Sequence, residues 1–329
     1  MRVFEVRKGS TDLSGLVAGE RPTPEPGPGQ VRVRVRAASL NFRDLAIASG
    51  QYFAGPVGRD TIPLSDGAGE VEALGAGVTG LSKGDRVAGT FFQRDGAALG
   101  SPLDGMLAEF AILDADGLVN VPEALSFEQA ATLPCAGVTA WHALTEGRPI
   151  KPGDTVLIQG TGGVSIFGLQ IAKLSGARVI VTSSSDAKLA RARELGADET
   201  INYGSTPNWA AAVLELTGGR GVDQIVEVGG AGTLPQSYLA IGATGEIAMI
   251  GVLTPPSEAS QTPHAMMAKR ATLRGIYVGE RAHFESLNRA IVVNGLEPVV
   301  DRVFDFDAAP DAYEMMMAAR HFGKLVVRI

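Results

Sequence analysis

Apolar positions along this chain change their spacing twice. Early on they alternate with polar ones: Val31, Val33 and Val35 are separated by Arg32, Arg34 and Arg36, the period of two that predicts a strand with one solvated face. Residues 1–6 and 108–113 also read as strands, 83–89 as a turn entering a strand, and 66–75 as a strand interrupted by close-packing glycines. Pro22, Pro24, Pro26 and Pro28 form a stiff connection between two strands. The first third is therefore expected to be β-rich and barrel-like.

Near Leu125 the pattern becomes mixed. Ser126-Phe127-Glu128-Gln129 has the form of a capped helix start, with the serine hydroxyl positioned to accept from a first-turn N–H. Short apolar runs at 156–159, 179–182, 199–202, 222–228 and 246–252 then alternate with amphipathic stretches such as 186–195 and 207–217. That alternation predicts an α/β doubly wound parallel sheet with helices on both faces. After Leu273 the order is strand 273–278, helix 284–293, strand 298–304, helix 308–319 and strand 324–329, expected to return partly to the first domain.

The segment Thr155-Val156-Leu157-Ile158-Gln159-Gly160-Thr161-Gly162-Gly163-Val164-Ser165 carries the clearest chemistry. A buried strand enters a glycine-rich turn, and Val164, Phe167, Ile171 and Leu174 continue on one helical stripe, with Gly176 as a C-terminal cap. Glycines let the backbone approach a pyrophosphate, and the helix N-terminus offers free N–H groups and the positive dipole end. The third small position is Ser165 rather than glycine. A second strand at 178–182 completes a β-α-β unit, so Gly160, Gly162, Gly163, Val164 and Ser165 are candidate dinucleotide contacts.

Composition narrows the class. The chain has 329 residues, 45% hydrophobic and 20% charged, a net charge of −7 and a single cysteine, Cys135. That length accommodates two domains. The basic residues are scattered, which argues against nucleic acid as a partner. One cysteine permits neither an internal disulfide nor a tetracysteine zinc lobe and fits a reducing compartment. No apolar run is long enough for a bilayer and no signal peptide is evident, so a cytoplasmic protein without membrane contact is expected.

With these pieces together the chain resembles the medium-chain dehydrogenase/reductase superfamily, and within it the zinc-independent, quinone-oxidoreductase-like branch. The resemblance spans nearly the whole chain. It is carried by Leu40-Asn41-Phe42-Arg43-Asp44-Leu45, residues 65–75, Lys83-Gly84-Asp85-Arg86-Val87, residues 133–140, the glycine turn, Glu194-Leu195-Gly196-Ala197-Asp198 and Gly323-Lys324-Leu325-Val326. It implies a discontinuous GroES-like catalytic domain (1–124 and 271–329), a central Rossmann domain (125–270), a site in the cleft between them and a homodimer joined through the central sheet edge. Alcohol dehydrogenases of the superfamily hold a catalytic zinc at positions that are here Asn41, Ser65 and Cys135, with Asp66 following where the family has a glutamate. The cysteines of the structural zinc loop are absent between Phe91 and Gly105. One thiol does not make a site of three protein ligands, so no metal is expected, and Cys135 reads as a small buried residue.

An acidic residue at the tip of the second strand binds the ribose hydroxyls of NAD. Here that tip is Thr182-Ser183-Ser184-Ser185, and Asp186 comes only at the next helix start. Ser183, Ser184 and Lys188 suit a 2′-phosphate instead, and the resemblance assigns Tyr203 to the same phosphate. The expected cofactor is NADP (NADPH). The resemblance further implies contacts to the cofactor from Thr139, from Gly251, Val252 and Leu253, from Tyr277 and Val278, and from Lys324.

Hydride transfer without a metal leaves the developing oxyanion to hydrogen-bond donors. Asn41 and Tyr52 are the catalytic candidates, and Asp44 an orienting group. Phe53, Phe91, Phe92 and Tyr277 are expected in the cleft wall, and His142 near it. Conjugated acceptors spread negative charge through an enolate or hydroquinone-like anion. The expected activity is therefore NADPH-dependent reduction of a quinone or α,β-unsaturated carbonyl. The alternatives are a zinc-independent alcohol or aldehyde dehydrogenase acting on an unconjugated substrate, and a non-catalytic NADPH-binding protein.

Overall fold

The computed structural model describes residues 1–251, 253 and 264–329. The chain divides into two compact units, Met1–Val138 with Gly279–Ile329, and Thr139–Val278. These boundaries stand C-terminal to the 124/125 and 270/271 read from the sequence. The segment after Leu125 belongs to the first unit because it is tied there: the Arg86 guanidinium lies 4.5 Å over the Phe127 ring, and the Cys135 N–H donates to Asp66 Oδ2 at 3.1 Å.

In the first unit, Gln30–Ser39 is the central strand of a seven-stranded sheet, paired antiparallel with Asp66–Leu74, Phe110–Asp114 and Lys324–Arg328. Its alternation works as the spacing predicts. Val31, Val33 and Val35 enter the core with Val71, Leu113, Leu325 and Tyr313. On the other face Arg34 and Arg36 pair with Glu72 and Glu70 of the neighbouring strand, and Arg32 reaches Glu25 in the proline segment. Cross-strand pairs of opposite charge hold register as well as adding stability. The last strand, Lys324–Arg328, also pairs in parallel with Val300–Asp305. Ser126 caps the short helix Phe127–Ala130, its Oγ accepting from Gln129 N while Gln129 Oε1 accepts from Ser126 N.

Among the described residues, the second unit carries six parallel strands in the spatial order Glu199–Asn202, Arg178–Ser183, Thr155–Gln159, Val222–Glu227, Ile241–Met249, Thr272–Gly275. In chain order this is 3-2-1-4-5-6, the doubly wound arrangement whose switch point lies between strands one and four. All five residues of Thr155–Gln159 are buried, because a parallel strand covered on both faces by helices leaves no side for water. The fifth strand starts earlier than the apolar run at 246–252 implies and ends at Met249. Leu157, Ile180, Ile225 and Ile247 pack with Trp209 and Val213 of helix Trp209–Leu216. Among the described residues, no helix is long and apolar enough to cross a membrane.

Candidate active site

In the second unit the strand Thr155–Gln159 runs into Gly160, which adopts φ +71°, a left-handed conformation that glycine takes without strain. Gly162 follows at the N-cap of helix Gly163–Leu174 with φ −78° and ψ −173°. Having no side chain, it leaves the first-turn N–H groups uncapped from that position, and a Cβ placed on it would meet nothing within 4 Å. The turn is thus an open concavity at a helix N-terminus, the shape and polarity that accept a pyrophosphate. Gly163 and Val164 form the first helical turn, and Ser165 Oγ donates to Gln159 O at 2.6 Å, tying helix to strand where the motif usually has a third glycine. The buried face of the helix is Ile166, Phe167, Leu169 and Ile171. It is rotated from the predicted stripe, whose ends, Val164 and Leu174, are not buried.

Ser183 ends the second strand and pairs with Asn202 of the third, and the Tyr203 N–H donates to Ser183 O at 3.0 Å. The strand pairing therefore gathers Ser183, Ser184 and the partly exposed Tyr203 at the same carboxyl end. Ser185 caps helix Asp186–Glu194, accepting from Lys188 N. The carboxylate of Asp186 accepts from Asn202 Nδ2 at 2.7 Å, the residue paired with Ser183. Gly251 donates its N–H to Glu227 O at 3.0 Å, while Leu253 and Tyr277 are exposed. Val252 lies outside the described residues. Thr139 is buried in helix Val138–Thr145. From the same helix His142 donates through Nδ1 to Val278 O at 2.7 Å.

Sequence reasoning missed Glu227. It ends the fourth strand, adjacent to Gln159 at the end of the first, with 0% exposure. Its carboxylate accepts from Gln159 Nε2 at 2.7 Å, from the Gly229 and Gly230 N–H groups at 3.0 Å each, and from the hydroxyls of Thr233 and Ser237. A single buried side chain thus holds the Gly229-Gly230 turn against the strand that feeds the glycine-rich turn. The signal in the sequence is an acidic residue closing an apolar strand just before a glycine pair.

In the first unit, Asn41 caps helix Phe42–Ala48 and its N–H donates to Asp44 Oδ2 at 2.8 Å. Lys324, 3% exposed, donates from Nζ to Leu40 O and to Asn41 Oδ1, both at 2.6 Å, with Asp66 Oδ2 at 3.9 Å. Asp66 also accepts from Ser65 Oγ at 2.7 Å. Burial lowers the Lys324 ammonium below its usual range, against the pull of Asp66. Burial, with the Asp66 charge adding to it, pushes the Cys135 thiol well up. With an asparagine and a serine at the other two positions and an ammonium beside them, one thiol does not make a zinc site of three protein ligands. Among the described residues, no group of three or more His, Cys, Asp or Glu side chains is gathered to hold a metal ion.

Behind this cluster the Arg43 guanidinium lies between the rings of Tyr52 and Phe91, at 5.2 and 4.9 Å, and donates to the carbonyls of Leu99 and Ser101. Phe91 is therefore core rather than cleft wall, whereas Phe53 beside Tyr52 is 75% exposed. Asn41 Nδ2, Arg43 Nε, Asp44 Oδ1 and Tyr313 Oη are each shut off from solvent without a hydrogen-bond partner.

Asp44 is the titrating member of the group. Burial raises its carboxyl from 3.8 to about 6, with Asp66 adding and Arg43 opposing. The folded state then binds the proton more tightly than the unfolded state. That stabilisation is fully present below pH 3.8 and is lost as pH rises through 6, an effect on the order of 2–3 kcal/mol. Asp44→Asn removes the titration, so its stability relative to wild type should climb by that amount between pH 4 and pH 8. Urea unfolding of both proteins at the two pH values measures it, and parallel pH profiles would show that Asp44 ionises in the fold without cost.

Residues 27–123 match the family model for the alcohol dehydrogenase GroES-like domain, and residues 163–292 that for the zinc-binding dehydrogenase. A zinc-type alcohol dehydrogenase-like protein of Schizosaccharomyces pombe is 45% identical over 311 residues, 89% of either chain. A quinone oxidoreductase-like protein 2 homolog of Nematostella vectensis is 32% identical over 306 residues, 88% of this chain and 79% of that one. The crystal structure of an NAD-dependent alcohol dehydrogenase aligns over 100% of both chains with a TM-score of 0.93 and 33% identity. A mycobacterial protein complexed with NADPH aligns over 100% of both with a TM-score of 0.86 and 29% identity. The chain belongs to the medium-chain dehydrogenase/reductase superfamily. Its Rossmann-type sheet and separate GroES-like β-rich unit are those of an NAD(P)-dependent oxidoreductase.

Proposed function

We propose that this protein is an NADPH-dependent reductase of quinones or α,β-unsaturated carbonyls that works without a metal. The observation that carries the reading is the Lys324 ammonium held 2.6 Å from Asn41 Oδ1, with Asp66 as its counter-ion. The positions at which the resembling zinc enzymes place their three ligands are here an asparagine, a serine and a single thiol beside that cation. Bound NADPH supplies the hydride. The glycine turn and the first turn of helix Gly163–Leu174 hold the pyrophosphate, and Ser183, Ser184, Lys188 and Tyr203 hold the 2′-phosphate. Asn41 and Tyr52 meet the oxygen on which charge develops. With only neutral donors there, a substrate that delocalises the charge places a smaller demand on the site, which favours conjugated acceptors over simple ketones.

The quinone oxidoreductase-like relative and the NADPH complex support this reading; the NAD-dependent neighbour makes coenzyme choice the point to measure. Steady-state assays pairing an enone with its saturated ketone, each with NADPH and NADH, are expected to give turnover with the enone. They should also show about a tenfold to hundredfold NADPH preference, the worth of one ionic hydrogen bond. Turnover of the saturated carbonyl alone would instead assign the alcohol or aldehyde dehydrogenase activity. NADPH binding without any turnover would assign a non-catalytic function. We also place the protein in the cytoplasm, on its single cysteine, and as a homodimer through the sheet edge at Thr272–Gly275, which among the described residues pairs on one side only. Sedimentation at the mass of one chain would exclude the dimer.

A further inference from the structure

The strand tip assigned to the 2′-phosphate has one acidic neighbour. Asp186 is the sole acid in residues 182–193 and 200–206, the two stretches that meet where Ser183 pairs with Asn202. An acid at such a tip takes the ribose hydroxyls in an NAD site, and it opposes a phosphate by charge. Asp186 is exposed, so several staggered rotamers are open to it and a contact has to choose among them. That contact is Asn202 Nδ2, which donates to Asp186 Oδ1 at 2.7 Å. The amide is itself held by its other end, since the Gly204 N–H donates to Asn202 Oδ1 at 2.9 Å. With its oxygen taken by a backbone donor, the amide offers its nitrogen to the carboxylate. The strand order Glu199–Asn202, Arg178–Ser183, Thr155–Gln159 places Asn202 on the far side of Ser183 from the glycine turn. The carboxylate is thus held toward the outer strand, away from the side on which a nucleotide seated on that turn approaches. An amide carries no charge, so this bond fixes the place of the carboxylate without neutralising it.

We propose that Asn202 is a specificity-determining positioning residue: it withholds the Asp186 carboxylate from the adenosine ribose and so leaves the strand tip to a 2′-phosphate. The inference rests on the NADPH reading above and adds to it the residue that restrains the one acid at the tip. Asn202, Asp186, the tip serines and Tyr203 all belong to the second unit, so the clamp acts within a single compact body. The two coenzymes differ only at the ribose 2′ position, a hydroxyl in NADH and a phosphate in NADPH. A carboxylate released toward that position accepts from the hydroxyl and repels the phosphate. Loss of the clamp therefore moves the two affinities in opposite directions, whereas loss of a merely structural bond weakens both.

Titration calorimetry of the whole chain with adenosine 2′,5′-bisphosphate and with 5′-AMP isolates the 2′ group and needs no turnover. The wild type is expected to bind the bisphosphate about tenfold to hundredfold more tightly than 5′-AMP. Asn202→Ala should lower that ratio about tenfold, the bisphosphate weakening about fivefold and 5′-AMP tightening about twofold. Asn202→Leu, of similar volume, should give the same fall and serves if the alanine variant does not fold. Asp186→Ala alone should leave the ratio within about threefold of wild type, because the acid is already withheld. Adding Asn202→Ala to it should change the ratio by less than about twofold, since residues that act through one another are non-additive. An unchanged ratio in Asn202→Ala, or equal weakening of both ligands, would overturn the proposal. So would an equally large fall without Asp186, which would assign the effect to the turn that Gly204 closes on Asn202. Salt gives a readout that a structural role would not move: repulsion between exposed charges is screened, so the deficit of Asn202→Ala for the bisphosphate should shrink from about 10 mM to about 500 mM salt, and a deficit indifferent to salt refutes the clamp. A wild type that binds the two ligands equally removes the NADPH reading instead. The clamp then stands if 5′-AMP still tightens in Asn202→Ala and falls if it does not.

Discussion

Gly162→Asp is expected to leave the fold as stable as before, or slightly more so, while reducing NADPH affinity roughly a thousandfold, about 4 kcal/mol. The two effects have opposite signs because they arise from the same N–H groups. Gly162 already has the extended N-cap conformation, and a Cβ there meets nothing within 4 Å. An aspartate fits without strain, accepts from the first turn of helix Gly163–Leu174 and complements its dipole. Those terms are worth a few tenths of a kcal/mol over glycine, plus about 0.3–1 kcal/mol. The added carboxylate then stands where the pyrophosphate must come, satisfying its donors and opposing its charge. A repulsion of about 4 kcal/mol for two unit charges 4 Å apart near a protein surface sets the scale of the loss. Thermal unfolding of the free protein with NADPH fluorescence titration reads both sides. Retained tight binding would move the cofactor away from this turn.

The second unit was legible in the sequence because each of its signals is local. Strand, turn and helix follow one another within 155–174, and the order of five apolar runs fixes a parallel sheet once the first crossover is recognised. The arginine–valine alternation was legible for the same reason, since one face of a strand is read from its neighbours in the chain. What escaped reading depends on partners distant in sequence. Asn41 was singled out as a donor, but its orientation comes from Lys324, 283 positions away, through the pairing of the last strand with Gln30–Ser39. Phe91 has the composition of a cleft wall and became core because Arg43 stacks on it. The helix after the glycine turn was recognised while its buried face was misjudged, because Ser165 is drawn inward by Gln159 O and rotates the small residues toward the sheet.

Glu227 is the extreme case of that limit, and its removal should cost the most stability. Glu227→Ala is expected to destabilise the second unit by about 4 kcal/mol, since each buried donor left without an acceptor costs about 1–3 kcal/mol. The side chain satisfies two backbone N–H groups, two hydroxyls and an amide and is closed to bulk solvent. The loss is less than the sum of five orphaned donors. Gln159 Nε2 already shares Ser237 Oγ at 2.9 Å, and Gly229 N has a weaker acceptor in Gln159 Oε1 at 3.3 Å. The Thr233 hydroxyl also reaches Gly230 O at 3.2 Å, so the Gly230 N–H and the Ser237 hydroxyl are most affected by the deletion. At about 2–4 °C per kcal/mol for a unit of this size, the midpoint should fall by roughly 10 °C. Glu227→Gln should fall about half as far, because its oxygen can still accept from the glycine pair while its amide opposes the Gln159 amide. NADPH affinity should weaken in the same order, since the Gly229-Gly230 turn is anchored to the strand that feeds the phosphate cradle. Differential scanning calorimetry with coenzyme titration on the three proteins tests the series. An alanine variant that melts with the wild type would show that the switch point is held by packing alone.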